Sequence, residues 1–334
     1  MSKVFPELKS APIIKRYENN PILSAKDIPY EATLIFNAGV TKYQGKYIMI
    51  FRDDVKPEWG SLDLIGIHLG IATSDDGIHW DVRNKPFIHQ KQAETDEIER
   101  FYDPRLTVID NELYMCFAVD TRHGLRGGIG KISDDLESLE VLSMTVPDNR
   151  NMVLFPEKIG GMYARLERPM PVYSRGIDRF DIWYSVSSDL KFWGNSKLVM
   201  GVEHVPYAND KIGPAAPPVK TEKGWLTTFH AVDIDNTRGK NGWEDQWPKR
   251  YWAGIALLDL EDPSKVVGMY KEPLIAPEVD YEIEGGLRNN VIFPGGMILE
   301  DSGEVKIYYG SADTVECLAT ADVNDLIKLC VDKK

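Results

Sequence analysis

Hydrophobic and polar positions along this chain alternate with a period of two, in bursts separated by Gly, Asn and Asp. The period is that of strands with successive side chains on opposite faces. Five copies of one arrangement recur: GKYIMIFRDD from Gly45, NELYMCFAVDTRHG from Asn111, GGMYARLERP from Gly160, GWLTTFHAVD from Gly224 and GEVKIYYGSADT from Gly303. In each, an apolar strand runs into polar or charged side chains and a second strand follows. The second strands lead into SDDGIHW (to Trp80), SDDLESL (to Leu139), SSDLKFW (to Trp193), LDLEDP (to Pro263) and ADVNDL (to Leu326). Repetition of this kind marks a propeller or a solenoid, and strand alternation favours the propeller. The expectation is an all-β chain, a single five-bladed β-propeller domain over residues 1–334. Helical spacing recurs only near the end, where Val323, Leu326, Ile327 and Cys330 predict a short C-terminal helix.

The strand-starting turns at Gly45, Asn111, Gly161, Gly224 and Gly303 lie further apart than a minimal blade of about 40–45 residues. Loops are therefore inserted. Asp233–Arg250 is polar with two Trp, and Lys91–Arg105 is acidic and then aromatic. Inserts of this length usually serve as lids, binding loops or subunit contacts. The RGGIG stretch at 126–130 reads as a turn.

Composition narrows the function classes. A formal charge of −13 over 334 residues disfavours a nucleic-acid or anionic-membrane surface. The N-terminal stretch has no apolar h-region, and no run approaches a bilayer-spanning length. Cys116, Cys317 and Cys330 are an odd number without metal-type spacing, read as reduced thiols in a cytoplasmic protein. Cys116 falls in a strand and reads as core. No Gly-rich phosphate loop is present.

The polar ends of the apolar strands carry the candidate chemistry, because a charge there must face water, a partner or a ligand. They are Asn37, Arg52, Asp53 and Asp54; Asp120, Arg122 and His123; Arg168; His230; and Asp313. Any one alone reads as a solvated strand end or an inter-blade ion pair; five in register suggest a shared funnel. FYDPRL adds Asp103 and Arg105 around a Pro, read as a loop before a strand. DNRNMVLFP places Arg150 between Asn149 and Asn151, read as a turn, and NDKIGPAAPP adds Lys211. Arg150, Arg168, Lys211 and His230 would make a cationic pocket for a small oxyanion. Asp54, Asp103 and Asp313 suit sugar hydroxyls and acid catalysis. Glycosidic cleavage ordinarily needs two carboxyl groups. With phosphate as nucleophile, cations replace the second, so one Asp beside an Arg/Lys/His cluster fits an inverting phosphorylase.

Nine stretches in order carry a family resemblance: FNAGV, YDPRLT, NRNMVLFP, LERP, DKIGPAAPP, the GWL…FH segment, ALLDLEDP, NNVIFP and YYGSADT. With them the chain resembles the mannoside phosphorylases of glycoside hydrolase family 130 over nearly its whole length. The resemblance implies a five-bladed β-propeller and inverting phosphorolysis of a β-mannoside to α-mannose 1-phosphate. β-1,4-mannooligosaccharide, β-1,4-mannosyl-glucose and β-1,2-mannobiose are the candidate substrates. It implies Asp103 as general acid, acting through the sugar 3-hydroxyl. It places Arg150, Arg168, Lys211, His230 and Tyr251 on phosphate, and Asn37, Arg52 and Asp313 on mannose; Asp54 and Asn151 join the sugar group. No metal or cofactor is implied, phosphate being a co-substrate, and the chain is expected to form a homo-oligomer. Two alternatives remain: a hydrolase on the same scaffold, with Glu167 as the carboxylate that could serve water, and a non-catalytic carbohydrate-binding propeller.

Overall fold

A computed structural model describes residues 8–89, 97–170 and 180–332. The acidic start of the Lys91–Arg105 insert therefore lies outside the described residues. Strand β1 (Lys15–Arg16) precedes the first unit in sequence. The first unit holds β2 (Leu34–Tyr43), β3 (Lys46–Val55), β4 (Gly66–Ser74) and β5 (Asp81–Val82). The second holds β6 (Ile98–Ile109), β7 (Glu112–Thr121), β8 (Gly124–Ile132) and β9 (Leu139–Met144). The third holds β10 (Asn149–Leu154), β11 (Tyr163–Pro169), β12 (Ile182–Ser187) and β13 (Trp193–Met200). The fourth holds β14 (Lys211–Pro214) and β15 (Val219–Thr221), both on β16 (Gly224–Ile234), followed by β17 (Lys249–Leu258) and β18 (Val266–Met269). The last holds β19 (Ile292–Leu299), β20 (Glu304–Ser311) and β21 (Val315–Asp322), with β1 paired antiparallel to β21. Every pairing inside a unit is antiparallel. The first and last units meet through a single parallel contact, Gly296 opposite Val40, which joins them into one eight-stranded sheet. A helical turn α1 (Asp280–Ile283) precedes β19, and helix α2 (Val323–Val331) follows β21.

The repeated sequence pattern has a repeated physical cause. Gln44–Gly45 and Asp110–Asn111 adopt positive φ as consecutive pairs between β2 and β3 and between β6 and β7. This is the twist that two-residue hairpins require. The acidic turns share one hydrogen-bond device. Asp76, Asp189, Asp259 and Asp322 each accept backbone N–H groups two and three residues further on, and Asp135 accepts one from Glu137. In the last copy the same device becomes the N-cap of α2, the expected C-terminal helix.

Apolar side chains are buried between consecutive units. Ile48 and Ile50 meet Met115 and Phe117, and Cys116 and Ile129 meet Met152 and Leu154. Val153 and Leu166 meet Trp225 and Phe229, Leu226 and Ile255 meet Met297 and Ile307, and Ile298 and Tyr308 meet Met49 and Phe51. Inner-strand contacts run from β2 to β6, β6 to β10, β10 to β14, β15 to β19 and β19 back to β2.

Three local expectations are corrected. Residues 126–130 lie inside β8. Their glycines answer packing, since a Cβ at Gly128 would stand 2.2 Å from the Phe117 ring and one at Gly130 2.6 Å from Leu139. Asp103 and Arg150 lie within β6 and β10 rather than in loops. Each strand is broken by a bulge, between Tyr102 and Arg105 and between Arg150 and Val153.

Candidate active site

Those bulges, with a third in β2 between Phe36 and Gly39, aim the polar groups. Asn37, Asp103 and Asn151 sit in them at φ 54°, 52° and 57°. Asn and Asp tolerate this left-handed conformation better than other side chains, and a bulge re-aims the residue it carries. The three converge on a cavity of about 100 Å³. Arg52, Arg150, Arg168, Lys211, His230, Tyr251 and Asp313 also line it, so every unit contributes.

One side of the cavity is cationic. Arg150 and Arg168 are directly opposed on β10 and β11, a like-charge pairing that ordinarily destabilises a sheet. His230 Nε2 lies 3.2 Å from Arg168 Nη1 and 3.4 Å from Asn151 Nδ2, two donors that place the ring proton on Nδ1. Gly213 makes room here, for a Cβ would come within 2.4 Å of the His230 ring. Among the described residues, Arg150 Nε, Arg168 Nε and Nη2, and His230 Nδ1 are buried without a hydrogen-bond partner. Burial, reinforced by Arg150, pushes the Arg168 guanidinium down to about 9. Burial and then Arg168 hold Lys211 and His230 well below their ordinary values. Lys211 Nζ lies 5.3 Å from the Tyr251 ring centre, and burial raises the Tyr251 phenol to about 12. Buried donors without acceptors and cations that depress one another are the electrostatics of an anion site.

The other side carries carboxylates. Asp103 Oδ1 accepts from Asn37 Nδ2 at 3.0 Å and from Arg52 Nη1 at 3.3 Å. Burial alone would raise the Asp103 carboxyl; Arg52 and Arg105 outweigh it and hold the group below its usual value. Burial raises Asp313 despite Arg288 and Arg52. Asp54 is placed differently from the expectation. It stands behind Arg52, taking Nε at 2.6 Å and Nη2 at 2.8 Å, and orients that guanidinium instead of lining the cavity.

Other strand-end candidates lie away from the site. Asp53 is buried on the opposite face of β3, Asp120 accepts from the Tyr102 hydroxyl at 2.7 Å, and Arg122 and His123 are exposed in a turn. Glu167 also alternates away. Its Oε2 is held by Arg165 and Asn149, each at 2.7 Å, which removes it from service as a base in the cavity.

The residues reading missed are Phe36, Tyr102, Arg288, Val291 and Phe293. Phe36, Tyr102, Val291 and Phe293 lie in the FNAGV, YDPRLT and NNVIFP stretches, so the motifs held all four; Arg288 had no periodic signal. Arg288 Nη1 lies 3.4 Å from Asp313, and Nη2 lies 2.8 Å from Glu244. The 233–250 insert is thereby tied to the cavity mouth. Its Trp247 ring lies under Arg288 at 4.3 Å and parallel to Tyr251 at 6.4 Å.

The profile of the family described as beta-1,4-mannooligosaccharide phosphorylase matches residues 8–332. A beta-1,2-mannobiose phosphorylase of Thermoanaerobacter sp. (strain X514) is 36% identical, over 90% of this chain and 94% of that protein. A beta-1,4-mannooligosaccharide phosphorylase of Ruminococcus albus is 32% identical, over 94% of this chain and 90% of the relative. Among solved structures, a beta-1,2-mannobiose phosphorylase from Listeria innocua, in complex with beta-1,2-mannobiose, superposes with a TM-score of 0.80 at 27% identity. It covers 95% of this chain and 99% of its own.

Proposed function

Because this chain belongs to glycoside hydrolase family 130, whose profile spans residues 8–332, we propose that it is an inverting β-mannoside phosphorylase. The observation that carries the reading is the cluster of unpartnered buried donors on Arg150, Arg168 and His230 across the cavity from Asp103. Phosphate occupies the cationic side, held by Arg150, Arg168, Lys211, His230 and Tyr251. Mannose lies between it and the carboxylates, with Asn37, Arg52, Asn151 and Asp313 on its hydroxyls.

A phosphate oxygen attacks the anomeric carbon as the glycosidic C–O bond breaks on the opposite face. The leaving oxygen takes the proton of Asp103, relayed through the 3-hydroxyl. The products are α-mannose 1-phosphate and a shortened acceptor. Asp103 must be protonated to act, and Arg52, Arg105 and, less strongly, Arg150 oppose this. A bound phosphate dianion neutralises Arg150 and adds negative charge nearby, which moves the carboxyl up toward its acid form. Glu167 is engaged by Arg165 and Asn149, so the hydrolytic reading lacks its base.

The contacts that return from β19 to β2 support reading the five units as the blades of one propeller and one catalytic domain. In this reading the protein acts in the cytoplasm as a homo-oligomer, with phosphate as co-substrate and neither metal nor organic cofactor.

The test is product release from β-1,4-mannobiose, β-1,4-mannosyl-glucose and β-1,2-mannobiose, with and without phosphate. Phosphate-dependent mannose 1-phosphate supports the reading and names the linkage. Free mannose at equal rates without phosphate overturns it.

A further inference from the structure

Two buried ionisable groups lie just behind the site: Arg105, which bears on Asp103 through its charge, and Glu316, which has no part in the chemistry above. Arg105 and Glu316 are almost fully shielded from solvent, and burying a charge is costly unless it is well engaged. Their contacts fall on one feature. Glu316 Oε2 accepts the Ala38 backbone N–H at 3.1 Å. Arg105 Nη1 donates to the Asn37 carbonyl at 3.3 Å. These are the two polar ends of a single peptide group, the one between Asn37 and Ala38. That peptide lies in the β2 bulge, where the ladder is interrupted and Asn37 stands at φ 54°. A bulge leaves its extra residue without a ladder partner, so its peptide needs other anchors. Arg105 also donates to the Pro104 carbonyl at 2.6 Å and, through Nε, to the Ala215 carbonyl at 2.6 Å. It therefore ties the bulge bearing Asn37 to the bulge bearing Asp103 and to the strand entry that follows Lys211.

The neighbouring backbone closes the arrangement. A Cβ at Gly295 would stand 1.9 Å from the Ala38 carbonyl oxygen, and one at Gly310 2.5 Å from Asn37 Oδ1. The Asn37–Ala38 peptide is thus held at both polar ends, and glycines make room for the groups that flank it. The Asn37 side chain donates through Nδ2 to Asp103 Oδ1 at 3.0 Å.

We propose that Arg105 and Glu316 form a clamp on the Asn37–Ala38 peptide that fixes Asn37, and through it Asp103, against the sugar. Both are positioning residues, and the inference rests on the phosphorylase reading. The clamp touches the sugar and acid side through Asn37, so its loss separates the two substrates. Displacing a catalytic constellation by about 1 Å can cost about 10²-fold.

Glu316→Leu, which deletes the acceptor of the Ala38 N–H, is expected to lower kcat/KM for the mannoside by about 10²-fold, with the phosphate KM unchanged. Glu316→Gln keeps an acceptor oxygen of the same reach and is expected to recover most of that loss. Calorimetric binding of mannose alone should follow the same order. Arg105→Lys, which retains the charge but not the fork, should show the same split, and it decides the matter if Glu316→Leu does not fold. Wild-type kinetics in the variants overturn the clamp, as does a loss that raises both KM values alike and is not recovered by Gln. A wild-type protein that releases no sugar phosphate sinks the parent reading instead; an active wild type with indifferent variants sinks the clamp alone.

Discussion

Replacing Arg168 by Met separates phosphate recognition from everything else in the site. Arg168 is buried, and its Nε and Nη2 form an unpartnered fork. The one hydrogen bond of its side chain among the described residues is from Nη1 to His230 Nε2 at 3.2 Å. A hydrogen bond to a charged group contributes about 1.5–3 kcal/mol. Two such bonds to phosphate amount to about 3–6 kcal/mol, or about 10²- to 10⁴-fold in affinity. Methionine nearly matches the stem, so little packing is lost. It also ends the opposition of Arg150 and Arg168 across the β10–β11 pair, which works against folding. The variant should therefore need far more phosphate while its thermal midpoint holds or rises, the trade expected where an active site is built at the expense of stability. Initial rates over a matrix of phosphate and mannoside concentrations, with a melting curve, read both effects. Equal rises in the two KM values, or an unchanged phosphate KM, would refute the assignment of Arg168 to phosphate.

Asp103→Asn should lower kcat by about 10²–10⁴-fold, the usual worth of a general acid, while calorimetry finds phosphate binding retained; near-wild-type phosphorolysis removes Asp103 from its role. Asp53, pushed up to about 8 by burial and then by Asp54, binds in the folded state a proton that the unfolded chain releases near pH 4. Its contribution to stability is complete below pH 4 and is lost as pH rises toward 8. Asp53→Asn should accordingly raise the urea midpoint over wild type at pH 9 and not at pH 4; an equal change at both values contradicts this.

Much of the fold was legible because its units repeat the same local physics. Gly45 and Asn111 mark positive-φ turns, and Asp76, Asp135, Asp189, Asp259 and Asp322 mark backbone-capping turns. Such features depend on neighbours in sequence. Most of the cavity lining was legible as well, from the polar strand ends and the YDPR, NRN and DKIG stretches, but the bulges were not: Asp103 was expected in a loop and Arg150 in a turn, and only the ladder register shows them within strands. What alternation could not show is which partner a side chain takes. Arg52 and Asp54 share one face of β3, and only the structure shows the guanidinium consuming the carboxylate. Arg288 reaches the cavity through Glu244 and Asp313, contacts between segments that no periodicity links. Residues 126–130 misled because glycine serves two purposes: their strand admits the Phe117 and Leu139 side chains where a turn was expected.

The pairing of β1 with β21 sets Lys15 opposite Thr320 and Arg16 opposite Ala319. On a ribosome these partners emerge roughly 300 residues apart. At about 5–20 residues per second, the interval between them is roughly 15–60 seconds. Throughout it the first strand has nothing to pair with, and Asn37, already translated, awaits Glu316 and the wall that carries Asp313. The proposed phosphate ligands Arg150, Arg168, Lys211 and His230 all emerge earlier, so an unfinished chain holds its cations before it holds the Asp313 carboxylate and the Glu316 anchor that complete the opposite wall.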